Sequence, residues 1–546
     1  MSVAKETKLR GADVVARSLE RLGCRYVFTL SGNHIMSVFD AALETGLDLV
    51  HVRHEAAAVH MADAWGRLTG EPGIALVTGG PGHANAVGAL FTALAAESPM
   101  VLLSGHAATW ELGRGGFQEL RQADMAAPVA KASWTATDAT ALGRDVAEAV
   151  RIATSGRPGP VHLSLPSDLL DAEVDPSAIV GPDARRAPAA AALGQAAAVV
   201  QAIAAAERPV VLAGPQLSNP GGRALLARLE AALHAPCAIL ESPRGLADAT
   251  LGAFPDLIRT SDLVVLLGKP LDFTLKWAVA PAFHPEVRLI VLDPDEALVE
   301  RARREKGARL LLADVSDVRA AAEALMAVAA APPPRAGRWL ADAREALTGR
   351  PAAWAALAAE APGRLHPAEV FRTLRRYIER DPDTVLICDG GEFAQWAQSM
   401  LPVRRRLING VAGSIGGSLP FALAARLCEP KAPVIAVLGD GTLGFHIAEF
   451  ETAVRRRLPF VAVVGNDARW NAESQIQLRT YGRQRMHGCD LLPARYDQVV
   501  AALGGHGELV TSAAELPGAL ERAIQSDKPA CVNVMIESVA APVIHR

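Results

Sequence analysis

Two short acidic turns, Gly439-Asp440-Gly441 and Asn466-Asp467, are the residues of this chain best placed to do chemistry, and 24 residues separate them. Each closes an apolar, β-rich run, Val434-Ile435-Ala436-Val437-Leu438 before the first and Phe460-Val461-Ala462-Val463-Val464 before the second. Runs this short and this continuously apolar read as strands buried on both faces of a sheet. Between them Ile447, Phe450 and Val454 fall at helical spacing ahead of Arg455-Arg456-Arg457. A strand–helix–strand crossover makes its strands parallel, so both turns emerge at one sheet edge, where ligands of open α/β sheets bind. Two carboxylates beside a glycine turn that offers backbone N–H groups suit a hard divalent cation shared with phosphate oxygens. Gly-Asp-Gly alone is equally the composition of a plain turn into a helix; the complete unit favours the cation.

Positioning these acids takes a large framework. At 546 residues the chain is too long for one core, and about three domains is the expectation. Half the residues are hydrophobic and 21% are charged, which fits a globular protein and excludes disorder. The formal net charge is −4, no basic stripe invites nucleic acid, and Arg455 to Arg457 complement a helix dipole. Six cysteines (24, 237, 388, 428, 489 and 531) lack C-x-x-C spacing and read as reduced thiols. Met1 to Gly23 reads as an amphipathic helix without a signal-peptide core, and Gln195 and Gln201 interrupt the alanine-rich Ala189 to Ala206. A cytoplasmic protein engaging neither membrane nor nucleic acid is expected. Composition breaks at Gly181 to Ala191 and Ala331 to Arg335 predict domains at 1–180, 190–330 and 355–546. In each, helical stretches alternate with short β-rich runs: Gly73 to Thr78 and Pro99 to Ser104, Pro209 to Leu212 and Asp262 to Leu267, Thr384 to Cys388 and Pro433 to Leu438. That alternation predicts an α/β protein of three doubly wound parallel-sheet domains.

The spaced Gly-Asp-Gly and Asn-Asp resemble the signature of thiamine diphosphate enzymes, where a pair of asparagines occupies the second turn. The resemblance implies that Asp440, Asp467 and the backbone carbonyl of Arg469 hold Mg²⁺. A carboxylate at position 467 is at least as good a ligand as the family's amide. Gly439, Gly441 and Thr442 would then meet the diphosphate at the start of the next helix. Asp389-Gly390-Gly391-Glu392-Phe393 ends another strand; Gly391, Glu392 and Phe393 either add amides to the diphosphate or form a simple strand-to-helix turn. Gly413-Ser414-Ile415-Gly416-Gly417 is by itself a glycine-rich loop before a helix. In the family the matching loop lies under the thiazolium ring, making Ile415 the apolar wedge and the Gly413 carbonyl the acceptor for the 4′-amino group.

Leu49 to Arg53 reads as a strand and Ala56 to Leu68 as a helix closed by Gly70, so Glu55 sits at their junction. It is either a helix-start glutamate favoured by the dipole or a working acid. His54-Glu55, with Thr78-Gly79-Gly80-Pro81-Gly82, resembles the pyrimidine-binding domain of the acetolactate synthase group. That likeness implies that Glu55 shares a proton with N1′ of the cofactor, favouring the tautomer that deprotonates thiazolium C2. It also implies a homodimer or homotetramer with active sites at subunit interfaces, because the two half-sites come from different subunits in the family.

The implied activity makes or breaks a C–C bond next to a carbonyl. Gly116-Phe117-Gln118-Glu119 and Gly79 to Ala84 look like acetolactate synthase, which decarboxylates a 2-oxo acid and joins the fragment to a second one. Gly268-Lys269-Pro270-Leu271-Asp272-Phe273 instead resembles 2-hydroxyacyl-CoA lyases and oxalyl-CoA decarboxylases, which implies an acyl-CoA cleaved to formyl-CoA plus aldehyde or ketone, and no FAD. Asp293 ends a strand; it reads as a ribose-holding acid, admitting an ADP or CoA nucleotide, or as a turn residue. The chain ends soon after the run Val532 to Ile536, which leaves little room for a lid over CoA. Glu473, following Trp470 and Asn471, reads as a proton relay or as an exposed helix acid. Trp470, Asn33, His34, Phe117 and Gln118 are candidate substrate contacts. A cofactor-binding paralogue without turnover is a third reading, and intact Glu55, Asp440 and Asp467 argue against it.

Overall fold

The continuous apolar runs become the centres of three parallel sheets, as strands without a polar face require. The computed structural model describes residues 8–185, 192–329 and 336–545, and the chain divides into two units, Met1–Ala189 and Ala190–Arg546.

In the first unit six parallel strands lie side by side in the order Asp48–His51, Tyr26–Thr29, Gly73–Val77, Met100–His106, Pro160–Pro166 and Ala132–Thr135. The chain leaves Tyr26–Thr29 toward one edge and returns to pair Gly73–Val77 on its other side. The loops after Thr29 and Val77 therefore part at the switch point, the crevice where such sheets bind ligands. Val14, Val15 and Leu19 of the helix Gly11–Arg21 cover the sheet residues Leu76, Val101, Leu103 and Leu163. A two-stranded antiparallel pair, Leu9–Arg10 with Glu173–Val174, ties the start of this unit to its end.

The second unit carries two parallel sheets. One runs Cys237–Ile239, Pro209–Ala213, Leu263–Leu267, Arg288–Asp293, Leu310–Val315; the other runs Arg405–Ile408, Val385–Asp389, Val434–Gly439, Val461–Asn466, Ala530–Met535, His506–Val510. In the six-stranded sheet the switch point falls between Val385–Asp389 and Val434–Gly439, beside both glycine turns. The helix Pro367–Arg380 shows how the sequence fixes an element there. His366 caps it, accepting from the Ala368 amide at 3.0 Å, Glu369 returns a bond to the His366 amide at 2.9 Å, and Pro367 occupies the first turn. Val370, Phe371, Leu374 and Ile378 recur at helical spacing and are buried on the sheet, each contributing about 1.5–3 kcal/mol.

Several expectations change in detail. The helix after Gly-Asp-Gly is two helices, Asp440–Leu443 and Glu449–Arg456, and Ile447 precedes the second. The amphipathic N-terminal stretch is helical from Gly11 to Arg21, and its first seven residues lie outside the described ones. Most of the first connector (186–191) and all of the second (330–335) also lie outside them. The segment 336–348, assigned above to no domain, is a helix that packs on the five-stranded sheet, with the Trp339 indole donating to the Pro209 carbonyl at 2.8 Å. The alanine-rich stretch contains the helix Ala196–Ala205, and among the described residues no helix is long and apolar enough to cross a membrane. All six cysteines are free thiols.

Candidate active site

Asp440 and Asp467 emerge side by side because Gly439 and Gly465 are paired in register on neighbouring parallel strands. The turn that aims Asp467 is built by Asn466. This buried amide donates to the Ala494 carbonyl and to Asn533 Oδ1, both at 3.1 Å, and accepts from the Ala468 amide at 3.2 Å. Ala468 accordingly takes a left-handed conformation, φ 58°. Asp440 is 1% exposed and its Oδ2 has no hydrogen-bond partner. Burial and the facing charge of Asp467 push its pKa up to about 7, against the pull of the Gly441 and Arg469 amides. Burial likewise pushes Asp467 up to about 6, opposed by the Ser538 hydroxyl, 3.0 Å from Oδ2, and by Arg469. The Arg469 guanidinium itself is paired with Asp490 at 2.6 Å. Two facing carboxylates, Asp440 buried with an orphaned oxygen and Asp467 half-buried, are what a divalent cation would satisfy. Among the described residues no three His, Cys, Asp or Glu side chains gather as a metal cluster. The cation's remaining ligands must then be carbonyl, phosphate or water oxygens, as Mg²⁺ accepts.

Glycines open the cradle beside this pair. A Cβ on Gly390 (φ +89°) would lie 2.4 Å from Thr442 Oγ1, and one on Gly441 would lie 2.6 Å from the Trp470 ring. Backbone amides thus approach the cavity surface where any side chain would fill it. The cavity, about 200 Å³, is lined by Gly391 to Phe393, Gly413, Ile415, Gly439 to Thr442, Asp467 and Arg469 to Glu473. It gathers every thiamine diphosphate, metal and substrate candidate of the second unit. The loop carrying Gly413 and Ile415 is held by Asp389, whose Oδ2 accepts the Gly416 and Ser418 amides at 2.9 Å each. Burial raises Asp389 to about 6 in spite of those amides. These residues fit a diphosphate with a divalent cation.

Some side chains have duties the sequence did not announce. Glu392 is buried and committed to Arg244 at 3.1 Å and to the Ala541 amide. Phe393 packs on Phe371, ring centroids 4.7 Å apart, and beneath Gly465. Trp470 meets Phe445 edge-on at 6.4 Å, and Glu473 is exposed on the first turn of the helix Asn471–Tyr481. Sequence reasoning missed Pro243 and Arg244, Gln395, Asn409 and Ser538. Pro243 and Arg244 follow the edge strand of the five-stranded sheet and line the cavity, Pro243 within 3.3 Å of where a Gly413 Cβ would be. None has a local signature, since each matters only through a neighbour far along the chain.

The switch point of the first unit holds the remaining candidates. Glu55 starts the helix Glu55–Thr69, is 8% exposed, and accepts from Asn85 Nδ2 at 3.1 Å. Gly82 allows the approach, since its Cβ would be 3.3 Å from Glu55 Oε1. His34 shares a hydrogen bond with Thr78 Oγ1 at 3.1 Å and stacks on the exposed Phe117, centroids 5.9 Å apart. Gln118 adopts φ 55° and lies over Gly80, and Glu119 braces its loop by accepting the Gly113, Gly115 and Gly116 amides. Strain of this kind in a residue other than glycine is typical of working sites. Asn33 is exposed at the head of a short turn, Asn33–Ile35.

Asp293 and Lys269 are both engaged within the fold. The Asp293 carboxylate is buried and accepts its own loop's Asp295 amide at 2.9 Å, the behaviour of a turn residue. Lys269, 1% exposed, is paired with Asp272 at 2.8 Å.

Comparison with known proteins agrees with this geometry. Residues 9–125 match the thiamine pyrophosphate enzyme N-terminal TPP binding domain, and residues 389–534 the corresponding C-terminal TPP binding domain. A probable acetolactate synthase of Mycobacterium bovis is 34% identical over 543 residues, covering 97% of this chain and 96% of the relative. The catabolic acetolactate synthase of Raoultella terrigena is 30% identical, covering 96% and 95%. A 2-hydroxyacyl-CoA lyase 2 of Homo sapiens is also 30% identical, covering 93% and 86%. With similarity running through both half-sites and the sheet between them, this chain belongs to the thiamine pyrophosphate enzymes.

Proposed function

We propose that this enzyme uses thiamine diphosphate with Mg²⁺ to decarboxylate a 2-oxo acid and join the fragment to a second carbonyl compound, as an acetolactate synthase does. The observation that carries the reading is the Asp440–Asp467 pair, with the orphaned oxygen on the buried Asp440, at the mouth of a glycine-built cradle. When bound, the cofactor supplies a carbon nucleophile that adds to a carbonyl and takes up the electrons of the broken C–C bond. The chain's own groups do the rest. Asp440, Asp467 and the Arg469 carbonyl hold the cation, the 390–393 and 439–442 turns hold the diphosphate, and Gly413 and Ile415 orient the rings. Glu55 holds a proton for the pyrimidine. Gln118, Glu473, Asn33, His34, Phe117 and Trp470 face substrate. Glu55 of one copy would serve the diphosphate site of another, making a homodimer or homotetramer the working unit. Free thiols suit a reducing, cytoplasmic setting.

Cleavage of a 2-hydroxyacyl-CoA is the second reading, favoured by the Gly268 to Phe273 loop and by relatives named as lyases. The self-satisfied Lys269 and Asp293 support the 2-oxo acid reading over it. Holoenzyme incubated with pyruvate should release CO₂ and form acetolactate, whereas formyl-CoA from a 2-hydroxyacyl-CoA thioester, with pyruvate inert, would reverse the choice. Glu55→Gln should lose most turnover while calorimetry still detects cofactor binding. Unchanged turnover would end the assignment. Flavin absorbance in the purified protein would count against the absence of FAD.

A further inference from the structure

The segment after the last strand is fastened to the site residue by residue. The Ile536 amide donates to the Asn466 carbonyl at 3.0 Å, and its carbonyl accepts from Arg364 at 2.7 Å. The Glu537 carboxylate accepts the Glu360 and Ala361 amides at 2.8 and 2.7 Å. The Ser538 hydroxyl donates to Asp467 Oδ2 at 3.0 Å. The Val539 carbonyl accepts from Asn471 Nδ2 at 3.0 Å, the Ala540 carbonyl from the Trp396 indole at 2.8 Å, and the Ala541 amide donates to Glu392. Asn466, Asn471 and Glu392 belong to the turns and helix starts that build the cradle, and Trp396 lies one turn into the helix that Glu392 begins. Ser538 does not line the cavity; it stands with Asp467 on the wall of a neighbouring hollow, so it reaches the carboxylate from behind.

We infer that Ser538 is a positioning residue for Asp467, presented by a C-terminal strap that the site itself fastens; the inference rests on the cation-site reading above. The hydroxyl engages Oδ2, fixes the rotation of the carboxylate and leaves Oδ1 to the cation side. Outer donors of this kind orient metal-ligating carboxylates, and their loss typically costs about 10- to 100-fold in metal affinity. A backbone held on both sides of position 538 leaves the hydroxyl only its own side-chain rotation.

The test is calorimetric titration of Mg²⁺ into protein saturated with thiamine diphosphate, for wild type, D467A, S538A and S538T, with melting temperatures recorded in EDTA. S538A should weaken Mg²⁺ about 10- to 100-fold. S538T should bind within a few-fold of wild type, and the melting temperature without metal should be unaltered in both. Equal affinity in S538A and wild type overturns the inference, as does a weakening matched by an equal drop in the metal-free melting temperature. Absence of Mg²⁺ binding in wild type would instead sink the cation-site reading. Wild-type binding lost in D467A but kept in S538A would leave that reading standing and remove Ser538 alone.

Discussion

Glu241 joins the two sheets of the second unit, and replacing it tests whether that joint holds up the cavity wall. Its carboxylate is buried and receives Arg406 and Arg223, each at 2.6 Å. Burial alone would raise its pKa, but the two guanidinium groups, Arg406 foremost, lower it from 4.5 to about 2. A depression of that size corresponds to about 3 kcal/mol of stability at neutral pH. Because the folded pKa is the lower one, the contribution is complete above pH 4.5 and is lost as the pH falls toward 2. Glu241→Gln also leaves Arg406 short of its counter-charge in the interior, a change of the kind that costs about 3–5 kcal/mol. Urea unfolding followed by tryptophan fluorescence should show E241Q less stable than wild type by about 3 kcal/mol at pH 7. At pH 3.5 the gap should be about 1.4 kcal/mol narrower, one pH unit's worth. Pro243 and Arg244 follow Glu241 by two and three residues and line the cavity, so E241Q should also weaken cofactor binding at 25 °C, where it remains folded. A deficit below about 1 kcal/mol at pH 7, or a deficit identical at pH 7 and pH 3.5, would refute the reasoning.

Two further outcomes are expected. Gly390→Ala puts a methyl group against Thr442 Oγ1 at a backbone angle of φ +89°, so calorimetry should find cofactor affinity lost while far-UV circular dichroism stays that of wild type. His83 is buried against His162, its Nδ1 2.9 Å from Ser104 Oγ, and burial lowers its pKa from 6.5 to about 4. The unfolded chain therefore binds the extra proton first, and stability should fall as the pH drops from 6.5 toward 4. His83→Gln should flatten that dependence, and an unaltered slope in thermal melts across this window would count against a neutral buried imidazole.

The composition of each apolar run settled which segments would be central parallel strands, because a strand buried on both faces has no polar positions to spare. The glycine and acid types at the ends of Val434–Gly439 and Val461–Asn466 pointed to a cation with phosphate for the same local reason. Glu55, Gly413 and Ile415 were legible only through likeness to a family, since a helix-start glutamate and a glycine loop mean little alone. What short-range pattern cannot hold is partnership at a distance. Ser538 on Asp467, Arg244 on Glu392 and Arg406 on Glu241 join residues 71, 148 and 165 positions apart. The burial of Asp293 and Lys269 is likewise a property of packing and not of type. Residue identity by itself determined where charge and bare backbone could be offered. Tertiary structure decided which of those groups stay free to meet a ligand, because a polar group buried in folding must be satisfied by whatever the chain brings beside it.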